Sequence, residues 1–411
     1  RVIYKKIVFA IIFNMRKIIT ILIIAIIFIG VYTLNKETLP ELIDASELVQ
    51  LSSSNNDFSF HLFNQVMEDE NIFISPYSIH TALLLAYIGA DNETKEEMAE
   101  VLRVVGIDEE EIKEKALGLK HYLEHVSNKT EVSIANAFFL REGIPFLEKY
   151  KKDGEEYFKA EIGLLPQTGR EINEWVSDKT SGKIEELIED GPISANVIAY
   201  LVNAIYFKGV WEVEFDENKT TERVFYGKQE VEVEMMENKG DYLYNINEEI
   251  KAVTLKYKDG GYLFHAFMPT NGNLADFYKG VDSFEEIKPT YKGEIVLRLP
   301  KFKMEEKFKL SDILQAMGME SAFDRSMADF SQMVDLQKTF PNNVYIGEVY
   351  HSSFIEVDEK GTEAAAATAV EMKLESVPME PMMIEFNQPF FFVIEEAETG
   401  IILFMGQVVE F

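Results

Sequence analysis

The chain has 411 residues, 47% of them hydrophobic and 12% aromatic, with 40 basic against 71 acidic side chains and a formal charge of −31. So much apolar content supports a large core and excludes global disorder, while the negative field argues against nucleic acid or an anionic membrane surface as a partner. Cysteine is absent, which excludes disulfides, thiolate catalysis and cysteine–zinc sites; a core of this size permits export without covalent staples.

Near the N-terminus, Met15-Arg16-Lys17 precedes an apolar run from residue 18 to 32. A basic start followed by such a run reads as a secretory segment. As a helix the run spans roughly 22 Å, short of the ~30 Å hydrocarbon core, and no small-x-small cleavage site follows. A cleaved signal peptide and a retained signal anchor therefore both stay open over residues 1–34. The expected translation start is Met15, and the expected location is extracellular, secreted or membrane-anchored through this segment. Residues 35–56 read as a polar linker ending in Ser52-Ser53-Ser54-Asn55-Asn56, so one folded domain is expected over residues 57–411.

Asp57 reads as the cap of a first helix, with apolar residues at helical spacing through residue 67. Ser75-Pro76-Tyr77-Ser78 starts a second, with proline in the first turn; residues 79–88 are apolar nearly all round, which predicts burial. Surface helices are expected over 94–104 and 109–126, and another over 171–176. Strands are expected over 132–140, 197–211, 231–235, 252–257, 262–268 and 295–299. A helix over 310–317 should stop at Gly318. The tail reads as two buried strands, 389–394 and 401–405, joined by a turn at Thr399-Gly400. Helices concentrate early and strands late, with no internal repeat, which is the α+β class.

One segment stands apart. From residue 362 to 375 the even positions are Thr362, Ala364, Ala366, Thr368, Val370, Met372 and Leu374, all small or apolar. The odd positions are Glu363, Ala365, Ala367, Ala369, Glu371, Lys373 and Glu375, and they carry every charge. That is the pattern of a half-buried strand. Yet four consecutive alanines are poor strand formers, and Pro378 and Pro381 interrupt any ladder beyond. A sequence patterned to fit a strand but poor at remaining one suits a segment that moves between states. Small side chains would let it slide between two existing strands, with Gly361 as a permissive pivot. New ladder bonds to both neighbours would drive it, and only a central position supplies them. Pattern alone leaves an alanine-rich surface helix or linker equally open.

Asp358-Glu359-Lys360-Gly361-Thr362-Glu363-Ala364-Ala365-Ala366-Ala367-Thr368-Ala369 resembles the reactive-loop hinge of inhibitory serpins, the serine-protease inhibitor family, here of a prokaryote-like kind without cysteines. Asn71-Ile72-Phe73-Ile74-Ser75-Pro76-Tyr77-Ser78-Ile79 resembles the family's early motif. Leu201-Val202-Asn203-Ala204-Ile205-Tyr206-Phe207-Lys208-Gly209-Val210-Trp211 resembles its central sheet strand, and Phe386-Asn387-Gln388-Pro389-Phe390-Phe391-Phe392 the strand after the reactive loop. The resemblance implies three β-sheets, eight or nine helices and an exposed reactive loop over about 359–385. It also implies a non-enzymatic, cofactor-free monomer that traps a serine protease covalently as a suicide substrate. Glu359 would start the hinge and pair with Lys301, with Trp211 beside them where the loop enters the sheet. Ser75, Ser78, Asn203 and His351 would form a hydrogen-bonded cluster beneath the strands that part. Counting along the family's hinge places the cleaved bond between Glu375 and Ser376, which would favour proteases that cut after Glu or Asp. Because the stretch from Ser376 to Phe386 is longer than the common family spacing, Leu374, Lys373 or a nearby Met remains open.

Two other readings compete. A serpin that does not inhibit would serve as a binding module or chaperone; the permissive residues Thr362, Ala364 and Ala366 on the inserting face favour inhibition instead. His121-Tyr122-Leu123-Glu124-His125 fits an H-x-x-E-H zinc-protease pattern, with His121 and His125 on one helix face, which leaves a zinc metalloprotease acting through His121, Glu124 and His125 as a remote alternative, although the sequence nominates no third ligand.

Overall fold

The computed structural model describes residues 44–270, 274–281, 283–339, 343–362 and 382–411. The expected signal segment and residues 363–381 of the expected reactive loop lie outside them.

The first helix, α1 (Ala45–Val66), runs straight through the stretch that reads as a linker from sequence. Asp44 caps it, accepting from the Ser46 amide at 2.9 Å. Leu48, Leu51, Phe58, Leu62 and Phe63 line one buried face at helical spacing. The intervening serines and asparagines have weak helix propensity, but tertiary partners hold them. Asn55 Nδ2 donates to the Ile402 carbonyl at 3.0 Å, Asn56 Nδ2 donates to that of Gly400 at 2.8 Å, and Asn56 Oδ1 accepts from the Ile402 amide at 2.8 Å. The Ser52 and Ser59 hydroxyls fold back onto carbonyls four residues earlier. Folded structure therefore starts by residue 45, because contacts with the C-terminal hairpin outweigh local preference.

Helix α2 (Pro76–Tyr87) follows the cap Ser75, whose hydroxyl accepts from the Ser78 amide, and every residue of it is buried, as its apolar sequence predicts. Next come α3 (Asn92–Val101), α4 (Glu109–His125), α5 (Glu148–Tyr157) and α6 (Gly169–Lys179). Among the described residues there are ten α-helical segments, four of them only four or six residues long.

The strands, in chain order, are β1 (Ile72–Ile74), β2 (Thr130–Leu140), β3 (Glu161–Leu164), β4 (Ala199–Val210), β5 (Thr221–Tyr226), β6 (Glu230–Ile246), β7 (Ile250–Lys256), β8 (Tyr262–Pro269), β9 (Tyr291–Pro300), β10 (Phe302–Lys309), β11 (Glu348–Val357), β12 (Gly361–Thr362), β13 (Met382–Glu385), β14 (Phe390–Glu396) and β15 (Ile402–Val408). One six-stranded sheet has the order β10-β11-β12-β4-β2-β3. The others form a nine-stranded network, β1-β15-β14-β8-β7-β6-β9-β13, with β5 on β6. The 17-residue β6 joins its two halves, pairing with β9 through Tyr244 and with β7 over Leu243–Ile246. These two halves and the six-stranded sheet are the three sheets of the resemblance.

The core lies between sheets. Phe207 of β4 packs 5.6 Å from Phe404 of β15, which stacks on Phe73 of β1 at 5.2 Å. The opposite face of the six-stranded sheet is covered by α6, whose Ile172 and Val176 pack among Phe139, Tyr200, Val202, Tyr350 and Phe354. Helix α6 thus lies across β2, β4 and β11 together.

Candidate functional site

Strands β4 and β11 are direct parallel neighbours, Tyr200–Tyr206 against Glu348–Phe354. Beyond that stretch β12 fits between them, antiparallel to both: Gly361 opposes Val210, and Thr362 opposes Gly209 on one side and Val357 on the other. The chain leaves the sheet after β11, turns, and re-enters at the mouth of the gap. Asp358 builds the turn, its Oδ1 accepting from the amides of Lys360 at 2.8 Å and Gly361 at 3.1 Å, while its own amide donates to the Gly361 carbonyl at 2.9 Å. Burial raises the Asp358 carboxyl above its ordinary range.

Trp211, Lys301 and Glu359 meet at this mouth, as the resemblance implies. The buried Trp211 donates its amide to the Lys360 carbonyl at 2.9 Å and Nε1 to the Asp358 carbonyl at 3.0 Å. Glu359 accepts at its carbonyl from the Phe215 amide at 2.7 Å. Its Oε1 accepts from the Thr220 hydroxyl at 2.7 Å, and its Oε2 lies 3.5 Å from Lys301 Nζ, itself 3.4 Å from Glu234. Burial works against the Glu359 charge, but the Thr220 hydroxyl, the backbone and the Lys301 ammonium together hold its carboxyl below the usual range. A Cβ at Gly361 would lie 2.0 Å from the Gly209 carbonyl oxygen, so glycine is required there by the closeness of two backbones. Thr362 is fully buried and its hydroxyl lies 2.6 Å from the Tyr257 hydroxyl. Tyr257 stacks on Trp211 with ring centroids 4.6 Å apart, and burial pushes its hydroxyl pKa far up, so it is neutral.

The second predicted constellation also assembles. From Gly209 back to Asn203 is six residues of β4, about 20 Å. There Asn203 Nδ2 donates to the Ser78 carbonyl at 3.1 Å and lies 2.5 Å from the Ser78 hydroxyl, and the Ser75 hydroxyl donates to the Leu403 carbonyl at 2.7 Å. His351 Nε2 faces the Ser75 amide at 3.1 Å and must accept from it. That leaves Nδ1 to carry the proton and donate to Asn203 Oδ1 at 2.6 Å. Burial drives the His351 pKa down to about 3, so the ring is neutral. The site is satisfied and uncharged throughout, in contrast to the mouth.

Asn136, Thr220 and Tyr257 escape the sequence reading. Asn136 accepts from Asn203 Nδ2 at 2.6 Å and stands opposite it in the β2–β4 register. Aligning the two asparagines across the expected strands would have found it. No local signal marks Thr220 or Tyr257. The hinge residues Glu363, Ala364, Ala365, Ala366, Ala367 and Thr368 and the expected reactive bond Glu375–Ser376 lie outside the described residues.

The zinc pattern gathers no third ligand among the described residues. Glu124 is held by Lys120 at 2.5 Å, His125 Nδ1 by the His121 carbonyl at 2.7 Å, and the two rings stack with centroids 4.3 Å apart. Among the described residues no group of three or more His, Asp or Glu is placed to hold a metal.

The family model for serpins, serine protease inhibitors, matches residues 53–411. An uncharacterised serpin-like protein of Methanosarcina acetivorans is 33% identical over 384 residues, covering 89% of each chain. The thermophilic serpin tengpin, solved in its native state, superposes with a TM-score of 0.78 at 30% identity, over 90% of this chain and 96% of that one. Human thyroxine-binding globulin, solved with thyroxine bound, superposes with a TM-score of 0.79 at 29% identity, over 89% and 99%. With the family model matched over residues 53–411 and a serpin-like relative 33% identical over 89% of the chain, the chain belongs to the serpin family.

Proposed function

We propose that this chain inhibits a serine protease as a suicide substrate. Serpins in general act on target proteases and are not themselves enzymes. The observation that carries the reading is β12: the first residues of the hinge already lie as a central strand, antiparallel to both β4 and β11. Thr362, the first even-numbered residue of the alternating segment, turns its side chain into the core. Continued insertion in that phase would bury Ala364, Ala366 and Thr368, while Glu363, Glu371, Lys373 and Glu375 would face outward.

In the covalent step the protease serine oxygen attacks the Glu375 carbonyl. The Glu375–Ser376 amide breaks, Ser376 leaves as a new amine with the proton taken from that serine, and Glu375 becomes an ester on the enzyme. Insertion of the freed hinge between β4 and β11 then carries the ester-linked protease away and distorts its site before water can deacylate it. A carboxylate at the scissile position suits a protease whose specificity pocket is positively charged. The inhibitor is a monomer exported through its N-terminal segment; among the described residues no helix is long and apolar enough to cross a membrane.

Incubation with a Glu-cutting serine protease tests this directly. An adduct stable in SDS is expected, with mass spectrometry locating the ester at Glu375 and the cleaved chain melting well above the intact one. The competing reading, a binding module, draws on the likeness to thyroxine-binding globulin. Clean cleavage with no adduct and no gain in melting temperature would favour it.

A further inference from the structure

We propose that Tyr257 sets the register of the inserting strand, its hydroxyl bond to Thr362 fixing which face of the following chain turns to the core. The inference rests on the inhibitory reading and adds a positioning residue to it.

Among the described residues β12 pairs through Gly361 and Thr362. In a strand, a slip of one residue moves every following side chain to the opposite face. Here a slip is costly in a definite way. It would bury Glu363, Glu371, Lys373 and Glu375, charges with no partner inside the sheet. Two devices oppose it. The Gly209 carbonyl leaves no room for a Cβ at the position Gly361 occupies, so neither Lys360 nor Thr362 fits there. Tyr257 then selects Thr362 for the next position.

The tyrosine is itself immobilised. Its amide donates to the Tyr262 carbonyl at 3.0 Å, the next amide, Lys258, donates to the Val210 carbonyl at 2.7 Å, and Tyr257 bridges Trp211 across the strands. Its ring lies stacked on Trp211 and edge-on to Phe207, with centroids 4.6 Å and 5.1 Å away. Gly209 makes room for that ring, since a Cβ there would stand 2.5 Å from Tyr257 Cδ1. The hydroxyl is therefore a fixed point beneath the mouth, buried, with the Thr362 hydroxyl as its partner. Because insertion only extends β12, the bond belongs to the intact and the inserted states alike.

The test compares wild type, Tyr257→Phe, Thr362→Val, the double variant and Thr362→Ser with the same Glu-cutting protease. Each single loss of a hydroxyl should raise the stoichiometry of inhibition roughly two- to tenfold, the range of one net hydrogen bond. Thr362→Ser, which keeps the hydroxyl, should restore the wild-type value, and the double variant should be no worse than the worse single one. In a Trp175→Phe background, Trp211 emission should shift with both single variants and not with Thr362→Ser. Additive effects, or an unchanged stoichiometry in variants that fold, would overturn the assignment. Failure of wild type to form an adduct would instead overturn the inhibitory reading.

Discussion

The mouth of the gap and the cluster about 20 Å below it are held by different physics. At the mouth Glu359 and Lys301 are charged, Lys301 is partly exposed, and the hinge is tied largely by backbone bonds to Trp211 and Phe215. Below, Ser75, Ser78, Asn136, Asn203 and His351 are buried, neutral and mutually saturated. The mouth already seats Gly361 and Thr362 between β4 and β11, whereas the cluster ties β4 and β11 to each other and to α2. On the inhibitory reading proposed above, starting insertion and continuing it would be controlled separately, the first by seating Thr362, the second by exchanging the buried hydrogen bonds of the cluster.

Substitutions at the two places should therefore differ in kind. The largest effect is expected from Thr362→Arg, which would place an unpaired cation in the core. SDS-stable adduct should disappear while cleavage continues, read as product bands on a gel; undiminished adduct would break the insertion route. Asn203→Ala should lower the stability of the intact form by about 2–4 kcal/mol in chemical denaturation, because it removes the Asn203 partners of His351 Nδ1–H and Asn136 Oδ1.

The cluster, through His351, and the helix beneath it, through His80, should also respond to pH. Burial holds His351 at a pKa of about 3 and His80, beside Leu102, at about 4, against ~6.5 in the unfolded chain. Their contribution is complete above about pH 6.5 and is lost as pH falls toward the folded values, since the unfolded chain then binds more protons. Each contributes a slope of up to about 1.4 kcal/mol per pH unit. Denaturation of His351→Gln between pH 7 and 5 should show one such slope removed; an unchanged slope would mean that His351 is not held neutral. The smallest effect is expected from Lys301→Met, about 0.5–1 kcal/mol, shrinking in high salt because the pair is partly exposed. A salt-independent loss would place the ion pair with the buried cluster rather than the mouth.

Much of the molecule was legible. Ser75 as a cap, the all-round apolar α2, the strands β2, β4, β7 and β8 and the C-terminal hairpin each carry a strong local period. What escaped was decided by partners remote in sequence. α1 holds weak helix formers because Asn55 and Asn56 reach the hairpin at Gly400 and Ile402. β11 was missed because His351-Ser352-Ser353 is polar and yet buried, satisfied by Ser75, Glu306 and Phe73. β10 was missed because its alternation pairs Phe302 and Met304 with charges rather than neutral polar residues.

By itself the sequence determined the α+β class, the family hinge and the parity of the alternating segment, because these depend on side-chain type and on spacing along one chain. The tertiary structure decided that Thr362 is buried, why position 361 must be glycine and which hydroxyl meets Thr362. Those follow from two backbones and a tyrosine ring brought together across β4, β12 and the end of β7, and no local pattern records a contact between residues 105 positions apart.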